Sequence, residues 1–373
     1  MRQFKPVQVE THSNSLPTRL DRRLSVAPMM ERTDRHFRYF LRLMTRHVLL
    51  YTEMITTGAL LHGKSVRLLA HDASEHPVGL QLGGSDPAEL AECARMGYES
   101  KYDEINLNIG CPSNRVQSGR FGACLMADPE LVANCVTAMT EAVPIPITVK
   151  TRLGIDDRDS YVDLSRFIDC IAAVGCETFI LHARKAWLHG LSPKENRNIP
   201  PLRYDVVHKI KRDYPNLEII LNGSVKSLEQ VTDQLTEVDG VMIGRAAYDN
   251  PYLLASADQR IYNNPTAPLS RFEVLERFRP YVERQLAEGV GFSVVTRPIL
   301  GLFQGQPGAK LWRRTLSEHG HRGGANIKVL ELAAAQITAP SNHEVARHAG
   351  PNKARQQTLS SDASRLPYQT NGL

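Results

Sequence analysis

The sequence predicts an α/β protein in which a (β/α)8 TIM barrel is followed by a C-terminal all-helical domain. Short apolar or β-branched runs alternate with helix-like stretches over most of the chain, a pattern typical of parallel βαβ units. Eight such runs occur, and eight parallel strands can close into a barrel. Beyond about Pro265 the strand signal ends and helical periodicity takes over.

The eight candidate strands are separated by intervals that are long enough for crossover helices. They are Leu24–Ala27, Val48–Thr52, Val78–Leu82, Glu104–Asn108, Ile147–Lys150, Thr178–His182, Glu218–Asn222 and Gly240–Ile243. The same alternation also permits a doubly wound open sheet. The strand pattern alone leaves both architectures open.

Helix starts between the strands carry recognisable capping signals. Asp86 and Asp128 each precede a proline, which is the order of an acidic N-cap followed by the first helical position. Ser227 and Gln230 have the spacing of a capping box. The whole order predicts a flexible segment at 1–22, a barrel at 23–262, a helical domain at 265–338 and a disordered, polar tail at 339–373.

Composition and charge narrow the class of protein. The 373 residues are 42% hydrophobic and 23% charged, as in ordinary globular proteins. No apolar run approaches the length of a membrane span, and the six cysteines show neither a C-x-x-C pair nor the spacing of a zinc site. We therefore expect a cytoplasmic protein with reduced thiols, no metal and no membrane association. The net charge of +5 is compatible with an anionic partner but does not establish one.

Polar residues follow the strands at the points where the strands end. In a barrel these ends share one face, where active sites are found, whereas a doubly wound sheet would scatter them along its edge. The loops after strands seven and eight add small residues that suit a phosphate site. A single glycine there is often only a turn, but two such loops together favour an anion. The residues at these strand ends, most of them polar, are Pro28, Met29, Glu53, Gln81, Asn106, Asn108, Cys111, Lys150, Arg152, His182, Arg184, Asn222, Gly223, Ser224, Gly244 and Arg245.

Cys111 lies in a loop just past the fourth strand and is followed by proline, which predicts a rigidly held thiol facing the barrel mouth. A neutral thiol there can give a proton to a carbanion-like carbon. The alternative, a small buried apolar residue, suits Cys93, Cys135, Cys170 and Cys176 better. Lys150 is suited to stabilising negative charge but could be a solvated lysine at a strand end, and His182 is either a ligand contact or a core histidine.

Several long segments, in the right order, resemble the tRNA-dihydrouridine synthase family from about Leu24 to about Leu332. They include Val26-Ala-Pro-Met-Met, Gln81-Leu-Gly-Gly, Glu104-Ile-Asn-Leu-Asn-Ile-Gly-Cys-Pro, Thr148-Val-Lys-Thr-Arg and Asp239-Gly-Val-Met-Ile-Gly-Arg. His182-Ala-Arg-Lys-Ala-Trp-Leu is closest to the A subfamily, whose targets are the D-loop uridines 20 and 20a. The resemblance implies that NADPH reduces bound FMN, that hydride passes to uracil C6, and that Cys111 protonates C5.

The resemblance also implies contacts, position by position. The flavin contacts are Pro28, Met29, Met30, Gln81, Lys150, His182, Asn222, Gly223, Ser224, Gly244 and Arg245. The tRNA contacts that we expect are Asn108, Arg184, Lys194, Arg197, Arg297, Arg313 and Arg314. One departure is that the family usually has a second glycine where Ser224 stands.

A uridine inside folded tRNA must be extruded to reach a recessed site, so positive charge is expected beyond the barrel. Six basic residues and one acidic residue, Glu318, occur between Arg297 and Lys328, a local excess that suits phosphate binding. A merely solvated basic face is the alternative. We expect a monomer that takes tRNA as its partner.

Two other functions compete with this one. A flavin barrel enzyme acting on a small pyrimidine, such as a dihydroorotate dehydrogenase, also has an active loop with Asn and Cys-Pro but has no use for a basic helical domain. An RNA-binding protein on an inactive barrel would not need Cys111, Lys150 and His182 together.

Overall fold

The computed structural model describes residues 20–337, and within them eight parallel strands form a closed barrel. The strands are β1 Leu24–Val26, β2 Leu49–Thr56, β3 Val78–Gly83, β4 Glu104–Ile109, β5 Ile147–Arg152, β6 Thr178–His182, β7 Glu218–Asn222 and β8 Gly240–Ile243. They pair in sequence order, and β1 pairs with β8. The predicted barrel is confirmed, because an open sheet would leave its first and last strands unpaired.

The second strand is longer than predicted. Sequence analysis ended it at Thr52, where polar residues begin, but β2 continues to Thr56. Its pairing with β3 shifts register between Tyr51 and Met54, the mark of a β-bulge, which re-aims side chains without ending a strand.

Helices surround the barrel and continue after it. Those between strands are α1 Arg35–Arg42, α2 Thr57–His62, α3 Ser65–Leu68, α4 Pro87–Glu99, α5 Asn114–Ser118, α6 Pro129–Ala142, α7 Tyr161–Ala172, α8 Tyr204–Asp213 and α9 Leu228–Gln234. After β8 come α10 Arg245–Asp249, α11 Ala257–Tyr262, α12 Arg271–Ala287, α13 Phe292–Thr296, α14 Ala309–His319 and α15 Ile327–Ala334. Short 3₁₀ helices lie at Ala73–Glu75, Gly122–Ala127, Glu195–Arg197, Pro251–Ser256 and Arg297–Gly301.

The capping signals are mostly realised. Asp86 and Asp128 each accept a hydrogen bond from the backbone N–H three residues on, with proline at the first helical position. Ser227 caps α9 in the same way, but the Gln230 side chain accepts from the N–H of Lys226 at 2.7 Å. The predicted capping box is therefore only half formed, because Gln230 reaches one residue too far back.

A buried charged cluster closes the lower end of the barrel, where the strands begin. Arg22, 4% exposed, donates to Glu104 at 2.7 Å and to Glu218 at 2.9 Å. Arg22 is therefore not part of the predicted flexible segment 1–22, because a buried cation is held by its buried carboxylate partners. The rest of that segment up to residue 19, and the predicted tail at 339–373, lie outside the described residues.

The helices after β8 pack on the barrel through α1. Tyr39 stacks on Tyr281 of α12 with ring centroids 3.9 Å apart, and Phe40 meets Phe278 edge-on at 5.2 Å. Trp312 of α14 is fully buried. The helices after β8, called the helical region below, are therefore packed against the barrel beside its mouth and are not merely connected to it by the chain.

Candidate active site

A cavity of about 2070 Å³ opens at the carboxyl ends of the strands. It is lined by every residue that the resemblance implies as a flavin contact, namely Pro28, Met29, Met30, Gln81, Lys150, His182, Asn222, Gly223, Ser224, Gly244 and Arg245. Asn108 and Cys111 line it as well. Closure of the barrel therefore brings a thiol, an amine and an imidazole from distant parts of the chain to one cavity.

The Cys111 loop is held by hydrogen bonds on both sides of the thiol. The Asn108 Oδ1 accepts from the N–H of Gly110 at 3.1 Å and of Cys111 at 3.0 Å. The Cys111 carbonyl accepts from Ala123 N–H at 3.0 Å. This close approach needs glycine at Gly122, where φ is +75° and a Cβ would lie 2.7 Å from the Cys111 carbonyl oxygen. These contacts hold the backbone of the loop that carries the Cys111 thiol.

Arg152, in β5, stabilises the same loop by hydrogen bonding. Its Nε donates to the Gly110 carbonyl at 2.9 Å, and its Nη1 donates to the carbonyls of Lys185 and Asn196, both at 2.9 Å. Burial lowers the pKa of this guanidinium to about 10. The position of Arg152 at the strand end did not predict this role, because its partners are carbonyls that only the fold brings near.

Lys150 is oriented by a chain of two hydrogen bonds. Asn222 donates its Nδ2 to the Met242 carbonyl at 2.7 Å, which turns its Oδ1 toward Lys150 Nζ at 3.0 Å. Burial, followed by the charge of Arg152, lowers the pKa of Lys150 to about 7. An anion in the cavity would favour the charged ammonium.

His182 offers an open hydrogen-bonding position. Its Nδ1 is buried and has no partner among the described residues. Burial, reinforced by Arg152 and Lys150, lowers its pKa well below the usual 6.5, so the ring is neutral at neutral pH. An unpaired buried nitrogen is costly, and a polar ligand in the cavity would satisfy it.

The loop after β7 has the backbone of an anion-binding turn. Gly223 and Ser224 both have positive φ, +132° and +52°, and backbone N–H groups in a turn of this kind are suited to binding an anion. Arg184, only 8% exposed, approaches the Ser224 hydroxyl at 3.4 Å. Arg245 follows β8 on the same side and donates to Asn198 Oδ1 at 3.0 Å.

These residues fit FMN. The open Nδ1 of His182 and the ammonium of Lys150 suit the polar edge of a flavin ring. The backbone turn at Gly223 with two arginines suits the phosphate.

Among residues 20–337 no group of three or more His, Cys, Asp or Glu side chains could hold a metal ion.

Some of the expected tRNA contacts line the cavity, and others lie outside it. Arg197 and Arg297 line the cavity, and Arg297 pairs with Asp34 at 2.9 Å. Lys194 is exposed and is not part of the cavity lining. Arg184 was expected to contact tRNA, but its burial beside Ser224 suits a cofactor phosphate better.

Arg313 and Arg314 are neighbours on α14 with different surroundings. Arg313 donates to Gln304 Oε1 at 3.0 Å, and Gln304 lines the cavity. Arg314 is exposed and pairs with Glu318 at 2.7 Å. The two arginines therefore point to different surfaces of the helix.

The cavity wall contains further basic residues that were not predicted from the sequence, among them Arg32, Arg35, Lys64 and Arg67. They follow β1 and β2, so their position after strand ends was the signal that could have found them.

None of the helices within residues 20–337 combines the length and apolar composition needed to cross a membrane.

The family model described as "Dihydrouridine synthase (Dus)" matches residues 25–338. The chain is 59% identical over 314 residues to a tRNA-dihydrouridine(20/20a) synthase of Shewanella oneidensis, covering 84% of this chain and 93% of that protein. It is 56% identical over 328 residues to the protein of the same name from Salmonella typhimurium, covering 88% and 98%. The barrel, the residues that meet at its mouth and these similarities show that the chain belongs to the dihydrouridine synthase family of oxidoreductases.

Proposed function

We propose that this protein reduces uridines 20 and 20a in the D-loop of tRNA to 5,6-dihydrouridine, with FMN as its cofactor and NADPH as the reductant. The names of its relatives support the substrate positions. The observation that carries the proposal is the convergence of Cys111, Lys150 and His182 on one cavity.

When bound, FMN would supply the hydride for uracil C6 after reduction by NADPH. Lys150 and His182 would hold the polar edge of the ring, while Gln81 would contact it from β3. The backbone at Gly223 and Ser224, with Arg184 and Arg245, would hold the phosphate.

Cys111 would complete the reduction by protonating uracil C5. Its backbone N–H and carbonyl are hydrogen-bonded to Asn108 and Ala123, so the loop that carries the thiol is held in place without relying on the substrate. A positioned acid of this kind contributes to the rate by lowering the cost of proton transfer in the transition state.

Binding of tRNA would draw on the basic cavity wall and the helical region, which we propose as a tRNA-binding domain over 265–338. Arg197 and Arg297 line the cavity, and in this proposal they contact the extruded nucleotide. We also propose that the protein acts as a monomer.

The test compares Cys111→Ala with Cys124→Ala on tRNA that lacks dihydrouridine. Cys124 lies in the adjacent 3₁₀ helix but is not part of the cavity lining. We expect Cys111→Ala to keep its flavin absorbance while its turnover falls about 10²- to 10⁴-fold, the usual contribution of a general acid. Cys124→Ala should keep wild-type turnover, measured as dihydrouridine by mass spectrometry of the tRNA. Full turnover by Cys111→Ala would refute the role given to this thiol.

A further inference from the structure

A line of hydrogen bonds runs from the Cys111 loop down through the barrel interior. Asn108, whose Oδ1 holds the N–H groups of Gly110 and Cys111, donates its own Nδ2 to Gln81 Oε1 at 2.9 Å. Gln81 then donates its Nε2 to Asn106 Oδ1 at 2.8 Å. Each of these two bonds joins a residue of β4 to Gln81 of the neighbouring strand β3.

The line continues to a carboxylate at the lower end of the barrel. Asn106 Nδ2 donates to Thr148 Oγ1 at 2.8 Å, and the Thr148 hydroxyl donates to Glu104 Oε1 at 2.8 Å. Glu104 is fully buried and also accepts from Arg22 at 2.7 Å and Tyr51 at 2.5 Å. The carboxylate is thus fixed from three sides.

Every bond in this line has the same polarity, and its two ends enforce it. The backbone N–H groups at the upper end can only donate, and an ionised carboxylate at the lower end can only accept. Between them, each amide must accept from above with its oxygen and donate downward with its nitrogen. Reversing one amide would place nitrogen against nitrogen or oxygen against oxygen in a buried setting, which is costly.

We propose that Glu104, Thr148 and Asn106 are positioning residues that fix the orientation of the Gln81 and Asn108 amides and, through Asn108, the Cys111 loop. None of the three lines the cavity. What the positioned thiol does rests on the proposed function, but the positioning itself does not. Without the Thr148 hydroxyl, Asn106 loses the acceptor that sets its direction from below, and only the backbone N–H groups of Gly110 and Cys111 at the upper end still orient the amides.

The experiment removes the hydroxyl at nearly constant volume with Thr148→Val and restores it with Thr148→Ser. The matched control is Thr178→Val, because Thr178 is also buried at the lower end of the barrel and donates to a carboxylate, Glu218, at 2.9 Å. That bond is not on the path to Cys111. Both valine variants therefore lose a buried Thr–Glu hydrogen bond, but only one interrupts the line.

The first readout is hydrogen exchange of the Gly110 and Cys111 amides in the full-length protein. Loss of one hydrogen bond is worth about 1 kcal/mol, so we expect exchange about fivefold or more faster in Thr148→Val. Thr148→Ser and Thr178→Val should exchange like the wild type. Unchanged exchange in Thr148→Val, or an equal increase in Thr178→Val, would overturn the proposal. If Thr148→Val does not fold, Thr148→Ala carries the same expectations.

The second readout is the kinetics of dihydrouridine formation. We expect Thr148→Val to lower kcat about fivefold or more while KM for tRNA stays near the wild-type value, and Thr148→Ser to restore kcat. A change in KM alone would count against positioning of the thiol. If the wild-type protein forms no dihydrouridine, the proposed function fails, while the exchange comparison still decides whether the line of bonds positions the loop.

Discussion

Lys150 has a charge that depends on what occupies the cavity. Burial lowers its pKa from 10.5 to about 7, so at neutral pH the flavin-free protein holds the amine near its midpoint. The unfolded chain keeps the ordinary pKa. Between pH 7 and about 10.5 the unfolded state therefore binds more protons than the folded state, and the free energy of unfolding rises with pH.

We predict that this rise is larger in the flavin-free wild type than in flavin-free Lys150→Met. One pKa unit corresponds to about 1.4 kcal/mol, so the difference should reach a few kcal/mol by about pH 10. It is measured by urea unfolding at a series of pH values. Bound FMN should reduce the difference, because an anion favours the ammonium. Parallel pH profiles for the two flavin-free proteins would contradict the prediction.

Ser224 occupies a backbone position that favours glycine. Its φ of +52° lies in the left-handed region, which costs a residue with a Cβ about 1 kcal/mol or more. This geometry accounts for the glycine that the family usually has here. The serine keeps the same backbone turn and adds a hydroxyl near Arg184.

We predict that Ser224→Gly is more stable than Ser224→Ala, because alanine keeps the strain and loses the hydroxyl. The difference should be up to about 1 kcal/mol, measured by thermal unfolding. Both variants should keep FMN affinity within about tenfold of the wild type, since the backbone donors remain. If the alanine variant were as stable as the glycine variant, backbone strain at residue 224 would not explain the preference for glycine there.

At the scale of the element, α14 presents two basic surfaces rather than one. Arg313 is linked through Gln304 to the cavity rim, whereas Arg314 pairs with Glu318 along the exposed side of the helix. A neighbouring pair in sequence is separated by about 100° around a helix. The sequence indicated a basic helix, but the structure decides which arginine faces the site.

We predict that Arg313→Ala weakens tRNA binding more than Arg314→Ala does. Removing one phosphate contact should lower the slope of log K against log salt by about one, and only Arg313→Ala should show this. Binding titrations at several salt concentrations measure both quantities. Equal effects of the two substitutions would show that α14 acts as a diffuse positive surface.

At the scale of the whole molecule, the helical region and the barrel meet over very short distances. A Cβ on Gly301 would lie 2.6 Å from the Asp249 carbonyl oxygen and 2.8 Å from Pro251 Cδ. Glycine is needed there because the backbones after β8 and before α14 touch directly.

We predict that Gly301→Ala lowers the free energy of unfolding by about 1–3 kcal/mol, the usual cost of overpacking, and raises KM for tRNA. Gly58→Ala is the control, because its added Cβ would meet no atom within 4 Å. Calorimetry and tRNA kinetics measure the two effects. A Gly301→Ala protein as stable as the control would mean that the two parts can separate at little cost.

The order of strands, the helical region and the chemistry of the strand ends could all be predicted from the sequence. Short apolar or β-branched runs and acidic caps before prolines act locally, so the residues that specify β4 or α4 lie within the element or next to it. The cavity residues were predictable for a related reason. In a parallel barrel every strand ends on the same face, and this topology turns sequence position into spatial position.

Tertiary structure alone decided the contacts between distant segments. Arg22 was placed in a flexible segment because nothing near it in sequence shows the two carboxylates that bind it from β4 and β7. The line of bonds from Cys111 to Glu104 is equally invisible in sequence, since its polarity follows from which side chains face each other across three strands. Local patterns specify the elements, whereas the partner of a buried polar group is set by register and closure of the barrel.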